Sequence, residues 1–284
     1  MSETDKPEKP DKEYWAGRGG ENWTRHNSFT ESLFSPVTAV LLAAAAAKPG
    51  ERAVDVGCGC GGTALALAKQ VGQAGFVLGI DVSAAMLGLA RRLAPPGARA
   101  EFVEADATTH VFAKPDFDLL CSRHGVMFFD DPARAFANLR KALKPGGRMA
   151  FSCFRAPKDN PWAMVPVEAI YAHVPRPPKL GPEDPSPFAF ADPARVQRIL
   201  GGAGFAGVSL TPHDLAFDIA AGGGLDAAVE NMLEIGPASR AVANVSAATR
   251  AKVAAAAREA LAPYAKGNAV ALGSAIWIVT AKNP

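Results

Sequence analysis

An acidic residue followed by closely spaced glycines is the strongest chemical signal in the sequence. Asp55 lies near the end of an apolar run, and Gly57, Gly59 and Gly61 follow it at every second position. Glycine lets the backbone turn tightly and lets a ligand lie against bare main chain. The helical pattern from Thr63 onward directs a helix N-terminus at that ligand. The segment therefore predicts a binding site for the adenosine end of a cofactor.

Two further acidic residues follow predicted strands. Asp81 ends the second apolar run, where its two oxygens would accept hydrogen bonds from a ribose diol, and Val82 comes next. Asp106 and Ala107 follow the third run, where an adenine amino group needs an acceptor. Asp55 favours a cofactor whose other end is cationic, and the amine and sulfonium of S-adenosylmethionine are both positive.

The glycine spacing leaves two alternatives open. Gly57-x-Gly59-x-x-Gly62 satisfies the dinucleotide fingerprint, so an NAD(P)-dependent oxidoreductase is the first alternative. The carboxylate two residues before the first glycine disfavours it, because a diphosphate carries the same sign of charge. The second alternative is a non-catalytic cofactor-binding protein of the same fold. The intact glycine loop and the three acids favour an enzyme over that alternative.

The elements that must position these residues alternate between Arg52 and Phe154. Short β-rich runs follow helical patterns, which predicts an α/β fold whose mostly parallel sheet has helices on both faces. Ser83, Asp131 and Asp192 are expected to cap helices. The predicted strands are Ala53–Val56, Phe76–Ile80, Ala100–Glu104, Phe117–Cys121, Arg148–Phe154, Val208–Thr211 and Ser274–Ala281.

The remaining segments are predicted to flank or cover the sheet. The charged N-terminus predicts a flexible arm, and nine prolines between positions 156 and 190 predict a stiff connection or a substrate lid. Helical patterns after Gly222 predict an inserted cap over the ligand edge. The predicted units are an arm (1–30), a cofactor-binding core (31–155), the proline-rich segment (156–190), the rest of the core sheet (191–221 and 268–284) and the helical cap (222–267).

Five segments in this order resemble the class I S-adenosylmethionine-dependent methyltransferases. Within that class the sequence is most similar to the small-molecule branch typified by ubiquinone- and menaquinone-biosynthesis methyltransferases. The resemblance covers residues 35–155 closely and implies a Rossmann-like, seven-stranded sheet whose last strand is antiparallel. The segments that carry it are Val54–Gly61, Gly79–Asp81, Glu104–Ala107, Phe117–Leu120 and Leu143–Gly147.

The resemblance also implies roles for individual residues. Asp55 and the glycines would line the methionine moiety of S-adenosylmethionine, and Ser122 would lie beside it. Asp81 would bind the ribose, while Asp106 and Ala107 would meet the adenine. The implied reaction is methyl transfer to a small, partly apolar acceptor. The cap and the proline-rich segment are not needed for cofactor binding, so they are expected to form the acceptor pocket.

Several residues near these motifs are candidates for contact with the cofactor or the acceptor. His124 follows the fourth predicted strand, and its ordinary pKa suits proton abstraction from an acceptor. Arg123 and Asn27 are candidate acceptor contacts, and Trp23 could shield the sulfonium through cation–π attraction. Cys58 belongs to the glycine loop and is assigned to the cofactor rather than to a metal, because no second Cys/His pair has ligand spacing.

Composition excludes several other classes of function. The chain has 284 residues, 49% of them hydrophobic, and a net charge of +2 with interspersed charges, which does not indicate a nucleic-acid or membrane partner. The four cysteines lack disulfide spacing, and the N-terminus has no apolar signal sequence. We therefore expect a cytoplasmic enzyme that acts on a small molecule, with no metal; the oligomeric state is left open.

Overall fold

A mixed β-sheet organises the chain, which a computed structural model describes over residues 10–177, 180–181 and 183–284. The strands are β1 (Arg52–Val56), β2 (Phe76–Asp81), β3 (Ala100–Glu104), β4 (Phe117–Arg123), β5 (Leu143–Phe154), β6 (Ala206–Asp218), β7 (Ala265–Lys266) and β8 (Ala269–Lys282). Seven of them follow the order β3-β2-β1-β4-β5-β8-β6, and the two-residue β7 pairs with β8. β1 to β5 are parallel, and β8 is antiparallel to both of its long neighbours. The predicted Rossmann-like, mostly parallel sheet with an antiparallel last strand is confirmed.

The helices connect and cover these strands. They are α1 (Lys12–Ala16), α2 (Arg18–Arg25), α3 (Asn27–Leu33), α4 (Ser35–Ala45), α5 (Gly62–Val71), α6 (Ala84–Leu93), α7 (Pro132–Arg140), α8 (Pro161–Ile170), α9 (Pro193–Gly202), α10 (Gly224–Glu234), α11 (Pro237–Ala241) and α12 (Ala247–Leu261). Nearly every residue of β1 and β4 is buried, because helices cover both faces at the centre of the sheet.

Local side-chain chemistry sets the start of several helices. The Ser83 hydroxyl accepts a hydrogen bond from the Met86 backbone N–H at the start of α6. Asp131 and Asp192 cap α7 and α9 in the same way, and each is followed by a proline in the first turn. Such caps satisfy backbone donors that would otherwise have no partner, so these three helices begin where their sequences predict.

Four strands extend well beyond the bounds that their sequences predict, namely β4, β5, β6 and β8. β4 continues through Arg123, so Ser122 and Arg123 lie on the strand and not after it. β5 begins at Leu143, which pairs with Phe117, before a register shift in the β4–β5 ladder. β6 continues to Asp218 because β8 supplies antiparallel hydrogen bonds along its length, although many of its residues are exposed. A strand with one solvated face shows alternation rather than an apolar run, so the sequence of β6 does not mark its end.

The N-terminal arm, which the sequence predicts to be flexible over residues 1–30, contains helices in its described part. Residues 12–33 form α1 to α3, while residues 1–9 lie outside the described residues. Asp11 caps α1 by accepting a hydrogen bond from the Tyr14 N–H. The aromatic rings of Trp15 and Trp23 pack against Phe128 and Phe34. These aromatic contacts stabilise helices that the charge-rich sequence does not suggest by itself.

The proline-rich segment and the residues after β6 contribute the helices that flank the acceptor side. α8 occupies part of the proline-rich segment and packs against α11 and α12, while Pro178 and Pro182 of that segment lie outside the described residues. α10, α11 and α12 all fall between β6 and β8. Of the helices that the structure describes, none alone is long and apolar enough to cross a bilayer. α3 and α4 meet these two criteria only when they are taken together, as a pair with a bend between them.

Candidate active site

A cavity opens where the carboxyl ends of β1, β2 and β4 meet. In a parallel sheet the loops after these strands lie at one edge, so residues far apart in sequence share one cleft. The arm, α8 and the segment around α11 contribute further walls. The predicted site residues that line the cavity are Trp23, Gly57, Cys58, Gly59, Asp81, Val82, Asp106, Ala107, Arg123 and His124.

The glycine loop has the backbone geometry that its sequence predicts. Gly57 has φ +65°, and a Cβ on it would lie 2.8 Å from the Cα of Gly125. Gly59 has φ +54° and donates its backbone N–H to Asp81. The backbone N–H groups of Gly57 and Cys58 both donate to the carbonyl of Ile80. The loop is thus tied to the end of β2. A side chain at Gly57 would collide with the backbone of Gly125, so this position requires glycine.

Asp81 is held by two backbone donors at the end of β2. Its Oδ2 accepts from the Gly59 N–H at 2.8 Å, and its Oδ1 accepts from the Ser83 N–H at 2.9 Å. Burial raises the pKa of Asp81, and these backbone hydrogen bonds oppose that shift. Both oxygens keep free lone pairs in known orientations, since a carboxylate oxygen can accept more than one hydrogen bond. The arrangement suits recognition of a vicinal diol.

Asp106 is paired with the N-terminal arm. Its Oδ2 lies 2.9 Å from Lys12 Nζ, and its Oδ1 accepts from the Thr108 N–H at 2.8 Å. Burial pushes the pKa of Asp106 up, but the hydrogen bonds from Lys12 and Thr108 outweigh it and lower that pKa. Asp106 is therefore ionised and remains an acceptor beside Ala107, which also lines the cavity.

Asp55 is fully buried behind the glycine loop and does not line the cavity. Among the described residues, neither of its carboxylate oxygens has a hydrogen-bond partner. Burial raises the pKa of Asp55 to about 8, Arg123 opposes the rise, and the like charges of Asp81 and Glu31 add to it. The structure therefore places this acid one layer behind the cavity surface and favours its protonated form.

Three other predicted site residues lie outside the cavity lining. A Cβ on Gly61, which has φ +87°, would lie 3.0 Å from Ala90, so this glycine brings the loop close to α6. The Ser122 hydroxyl donates to the carbonyl of Val56 at 2.7 Å and ties β4 to the end of β1. Asn27 begins α3, and its Oδ1 is buried with no partner among the described residues.

His124 occupies a strained position at the rim of β4. Its backbone has φ +64°, and its ring stacks on Phe154 with a centroid distance of 4.3 Å. Nδ1 lies 3.3 Å from the Ser152 Oγ, whereas Nε2 is buried with no partner among the described residues. Burial, and then the nearby Arg123, lower the pKa of His124 to about 3, so the ring is neutral at physiological pH. A neutral ring with one unpaired nitrogen can accept or donate one hydrogen bond to a ligand.

Arg123 lines the cavity, but its guanidinium is already engaged. It forms an ion pair with Glu31 of α3 and donates to Thr38 of α4 at 2.8 Å. A Cβ on Gly62 would overlap the Glu31 carboxylate, so Glu31 lies at the N-terminus of α5. Glu31 lines the cavity and was not predicted, because it lies 92 residues from Arg123 and carries no motif.

Aromatic rings form much of the remaining wall. Trp15 contacts Trp23 and Phe128 at centroid distances of 5.5 and 4.9 Å on the arm side of the cavity. On the other side Phe154 contacts both Trp162 and Phe188, at 5.5 and 6.1 Å. No motif in the sequence marks Phe154, Trp162 or Phe188 as site residues. The available signal was that the last two lie in the proline-rich segment predicted to border the acceptor.

The cysteines of the glycine loop are free thiols. Burial raises the pKa of Cys58 well above its ordinary value and raises that of Cys60 to about 11, so both thiols are protonated and unreactive near pH 7. Among the described residues, no group of three His, Cys, Asp or Glu side chains could hold a metal ion. The small side chain of cysteine fits a tight loop, and this explains why cysteine occurs at both positions.

The fold and the acid-lined cleft define a Rossmann-like domain that binds an adenosine-containing cofactor. A family model described as a methyltransferase domain matches residues 53–147. The 2-phytyl-1,4-naphtoquinone methyltransferase of Trichormus variabilis is 35% identical over 117 residues, which are 40% of this chain and 51% of that protein. The aklanonic acid methyltransferase of Streptomyces sp. strain C5 is 34% identical over 154 residues, which are 50% of this chain and 69% of that protein.

A solved structure extends the likeness over the whole fold. Haemonchus contortus phosphoethanolamine N-methyltransferase 2, in complex with phosphomonomethylethanolamine and S-adenosylhomocysteine, superposes with a TM-score of 0.57 at 17% identity. The match covers 97% of this chain and 59% of that one. The chain belongs to the class I S-adenosylmethionine-dependent methyltransferases. It spans about half the length of the naphtoquinone enzyme and about two thirds of the aklanonic acid enzyme.

Proposed function

We propose that the chain transfers a methyl group from S-adenosylmethionine to a small, partly apolar acceptor. The observation that carries this proposal is the composition of one continuous cavity. Carboxylates and the glycine loop line the part at the strand ends, and aromatic rings from β5, α8 and the proline-rich segment line the rest. Bound S-adenosylmethionine would supply an activated methyl group on a sulfonium, so the chain needs mainly to align the acceptor and exclude water.

Each part of the cleft fits one part of the cofactor. Asp81 would accept hydrogen bonds from the ribose hydroxyls, since two backbone donors already fix its orientation. Asp106 and Ala107 would border the adenine, and the backbone of Gly57 and Gly59 would lie against the methionine portion. Trp23 and Trp15 would cover the cofactor from the arm side. Asp55 would not contact the cofactor directly, because it does not reach the cavity surface.

His124 is the proposed catalytic residue. The residue is more than nine-tenths buried, and its Nε2 has no hydrogen-bond partner in the described part of the chain. It lines the cavity together with the glycine loop and Phe154. A neutral imidazole there would hold an acceptor hydroxyl in line with the methyl group. The lowered pKa makes this ring a weak base, but the hydroxyl becomes strongly acidic as its oxygen gains the methyl group and would then pass its proton to Nε2. Arg123 would contact the acceptor only if its ion pair with Glu31 opened, so its proposed role is to fix α3 against β4.

The charges around the cofactor half disfavour the oxidoreductase alternative. Over the residues that the structure describes, four carboxylates line the cavity, those of Glu31, Asp81, Asp106 and Asp130. Arg123 and Lys12 balance two of them, and a diphosphate would still face Asp81 and Asp130. Membership of the methyltransferase family removes the remaining support for that alternative. The four buried, free thiols fit a reducing compartment such as the cytoplasm.

Calorimetric titration tests the cofactor assignment. Purified protein is titrated in parallel with S-adenosylmethionine, S-adenosylhomocysteine and NAD⁺, and the same titrations are repeated with Asp81→Ala. Micromolar binding of the first two, lost in the variant, is the expected result. Aromatic phenols and enols are then screened for acceptor-dependent formation of S-adenosylhomocysteine. Binding of NAD⁺ alone would overturn the proposal.

A further inference from the structure

Three cationic side chains line the cavity, counted over the residues that the structure describes, and they differ in how their charge is balanced. They are Lys12, Arg123 and Arg240. Lys12 lies 2.9 Å from an Asp106 oxygen, and Arg123 is paired with Glu31. In the described part of the chain, no carboxylate forms an ion pair with Arg240. A half-buried guanidinium without a counter-charge loses hydration and gains nothing in return, unless a ligand supplies the charge.

The neighbourhood of Arg240 carries a local excess of positive charge. Arg240 and Arg176 both lower the pKa of Tyr171, although burial dominates and raises that pKa overall. Arg176 lies over the Tyr171 ring at 4.8 Å and is itself paired with Glu168. One glutamate therefore balances two arginines around this tyrosine, and the charge of Arg240 remains available to the cavity.

Arg240 belongs to the acceptor side of the cavity. It lies on α11, which packs against α8, and the cavity wall beside it includes Ile235, Pro237 and Ser239. The Ser239 hydroxyl donates to the Gly236 carbonyl, so the turn that presents Arg240 is internally bonded. The neighbouring wall on α8 is formed by Trp162 and Ala163. An apolar, partly aromatic wall thus ends beside one uncompensated guanidinium.

We propose that Arg240 binds an oxyanion, a carboxylate or a phosphate, carried by the apolar acceptor molecule. This inference rests on the proposed function, because it names the chemical class of the acceptor for that cavity. The planar guanidinium can donate two parallel hydrogen bonds to either oxyanion. Such a bond would fix one end of the acceptor, while the aromatic walls hold its body and His124 meets the reacting group. Neutral apolar molecules would bind more weakly and in less defined orientations.

Probes of matched shape test the proposal. The probes are 2-naphthoate, 2-naphthyl phosphate and the neutral 2-naphthamide, titrated by calorimetry with and without S-adenosylhomocysteine. We expect at least one anion to bind about tenfold more tightly than the amide, as a charge-assisted hydrogen bond implies. The carboxylate and phosphate arms show which oxyanion is preferred. Titration with S-adenosylhomocysteine alone is recorded first, so failure of the cofactor assignment is seen separately from failure of the anion site.

Variants of Arg240 test whether this residue causes the preference for anionic probes. Arg240→Gln should remove the preference for the anion and leave amide binding within about twofold, whereas Arg240→Lys should retain part of it. Arg258→Gln is the matched control, because Arg258 is an exposed arginine on α12 that is paired with Asp226. The proposal is overturned if neither anion binds better than the amide, if neither binds at all at millimolar concentration, or if Arg240→Gln keeps the full preference.

Discussion

The Oγ of Ser152 lies 3.3 Å from Nδ1 of His124, while Nε2 of the same ring has no partner among the described residues. This pair decides what the ring can do. If Nδ1–H donates to Ser152, Nε2 has a free lone pair and can accept a proton. If the Ser152 hydroxyl donates to Nδ1, Nε2 carries the proton and can only donate. In the first arrangement Ser152 stabilises the tautomer that a general base requires.

We predict that His124→Phe lowers kcat for methyl transfer by about 100-fold, the lower end of the usual range for general acid–base catalysis. The ring shape and its stacking on Phe154 are kept in this variant, so affinity for S-adenosylhomocysteine should stay within about threefold. Ser152→Ala should lower kcat by about tenfold, because the ring remains but its tautomer is no longer fixed. Turnover is measured with an acceptor found in the screen. A kcat of His124→Phe within twofold of the wild type would exclude a catalytic role.

Asp55 should make the stability of the cofactor-free protein fall as the pH rises. The folded-state pKa is about 8, above the ordinary value of 3.8, so the folded chain keeps a proton that the unfolded chain has lost. The stabilisation is full below about pH 4 and is lost progressively up to about pH 8. Asp55→Asn should remove this slope and become the more stable protein at pH 8, as measured by urea unfolding at pH 5, 6.5 and 8.

Asp118→Asn serves as the control for Asp55→Asn, because the pKa of Asp118 is lowered by folding whereas that of Asp55 is raised. Burial raises the pKa of Asp118, but hydrogen bonds from Arg52 and Lys144 outweigh it and lower that pKa. The stabilisation that Asp118 provides is therefore present at neutral pH and lost on acidification, and its removal should destabilise slightly at pH 8. Parallel pH profiles for wild type and Asp55→Asn would contradict the assignment of a protonated Asp55.

Asp81→Asn should weaken binding of S-adenosylhomocysteine by about 10- to 100-fold, since hydrogen bonds to a charged acceptor contribute about 1.5–3 kcal/mol. The asparagine can orient only one acceptor oxygen, whereas the carboxylate presents two. Asp214→Asn is a suitable control, because Asp214 is exposed and its bond to Arg155 lies outside the cavity. Calorimetry gives the affinity, and thermal unfolding shows whether the variant is folded. Unchanged affinity in a folded Asp81→Asn would remove the ribose role.

Gly57→Ala should abolish cofactor binding. It should also lower the free energy of unfolding by more than the cost of placing alanine at a positive φ. The added methyl would lie 2.8 Å from the Gly125 Cα, a contact that forces the backbone of the glycine loop or of the turn after β4 to move. Gly50→Ala separates the two effects, because Gly50 has φ +83° with no atom near its Cβ position. It should lose only about 1–2 kcal/mol and bind S-adenosylhomocysteine normally. Equal losses in both variants would mean that the close approach to Gly125 carries no cost.

Much of the cofactor half could be predicted because its parts are local in sequence. The apolar run, the glycines and Asp81 each follow from the chemistry of one strand end, and their meeting follows from the rule that parallel strands share a carboxyl edge. The same local logic placed Asp55 at the ligand, whereas the structure buries it behind the loop. A sequence shows that a carboxylate is adjacent to a loop, but not which layer it occupies.

Local sequence patterns define the α/β alternation, the glycine loop and the acids at the strand ends, because strand period, helix caps and turn residues act over a few positions. Which side chains close the cleft depends on tertiary packing. The ion pair between Glu31 and Arg123 and the packing of Trp162 and Phe188 on Phe154 join segments that are distant in sequence, and α11 brings Arg240 to the same cavity. Such contacts depend on how whole elements pack, and no local pattern encodes them.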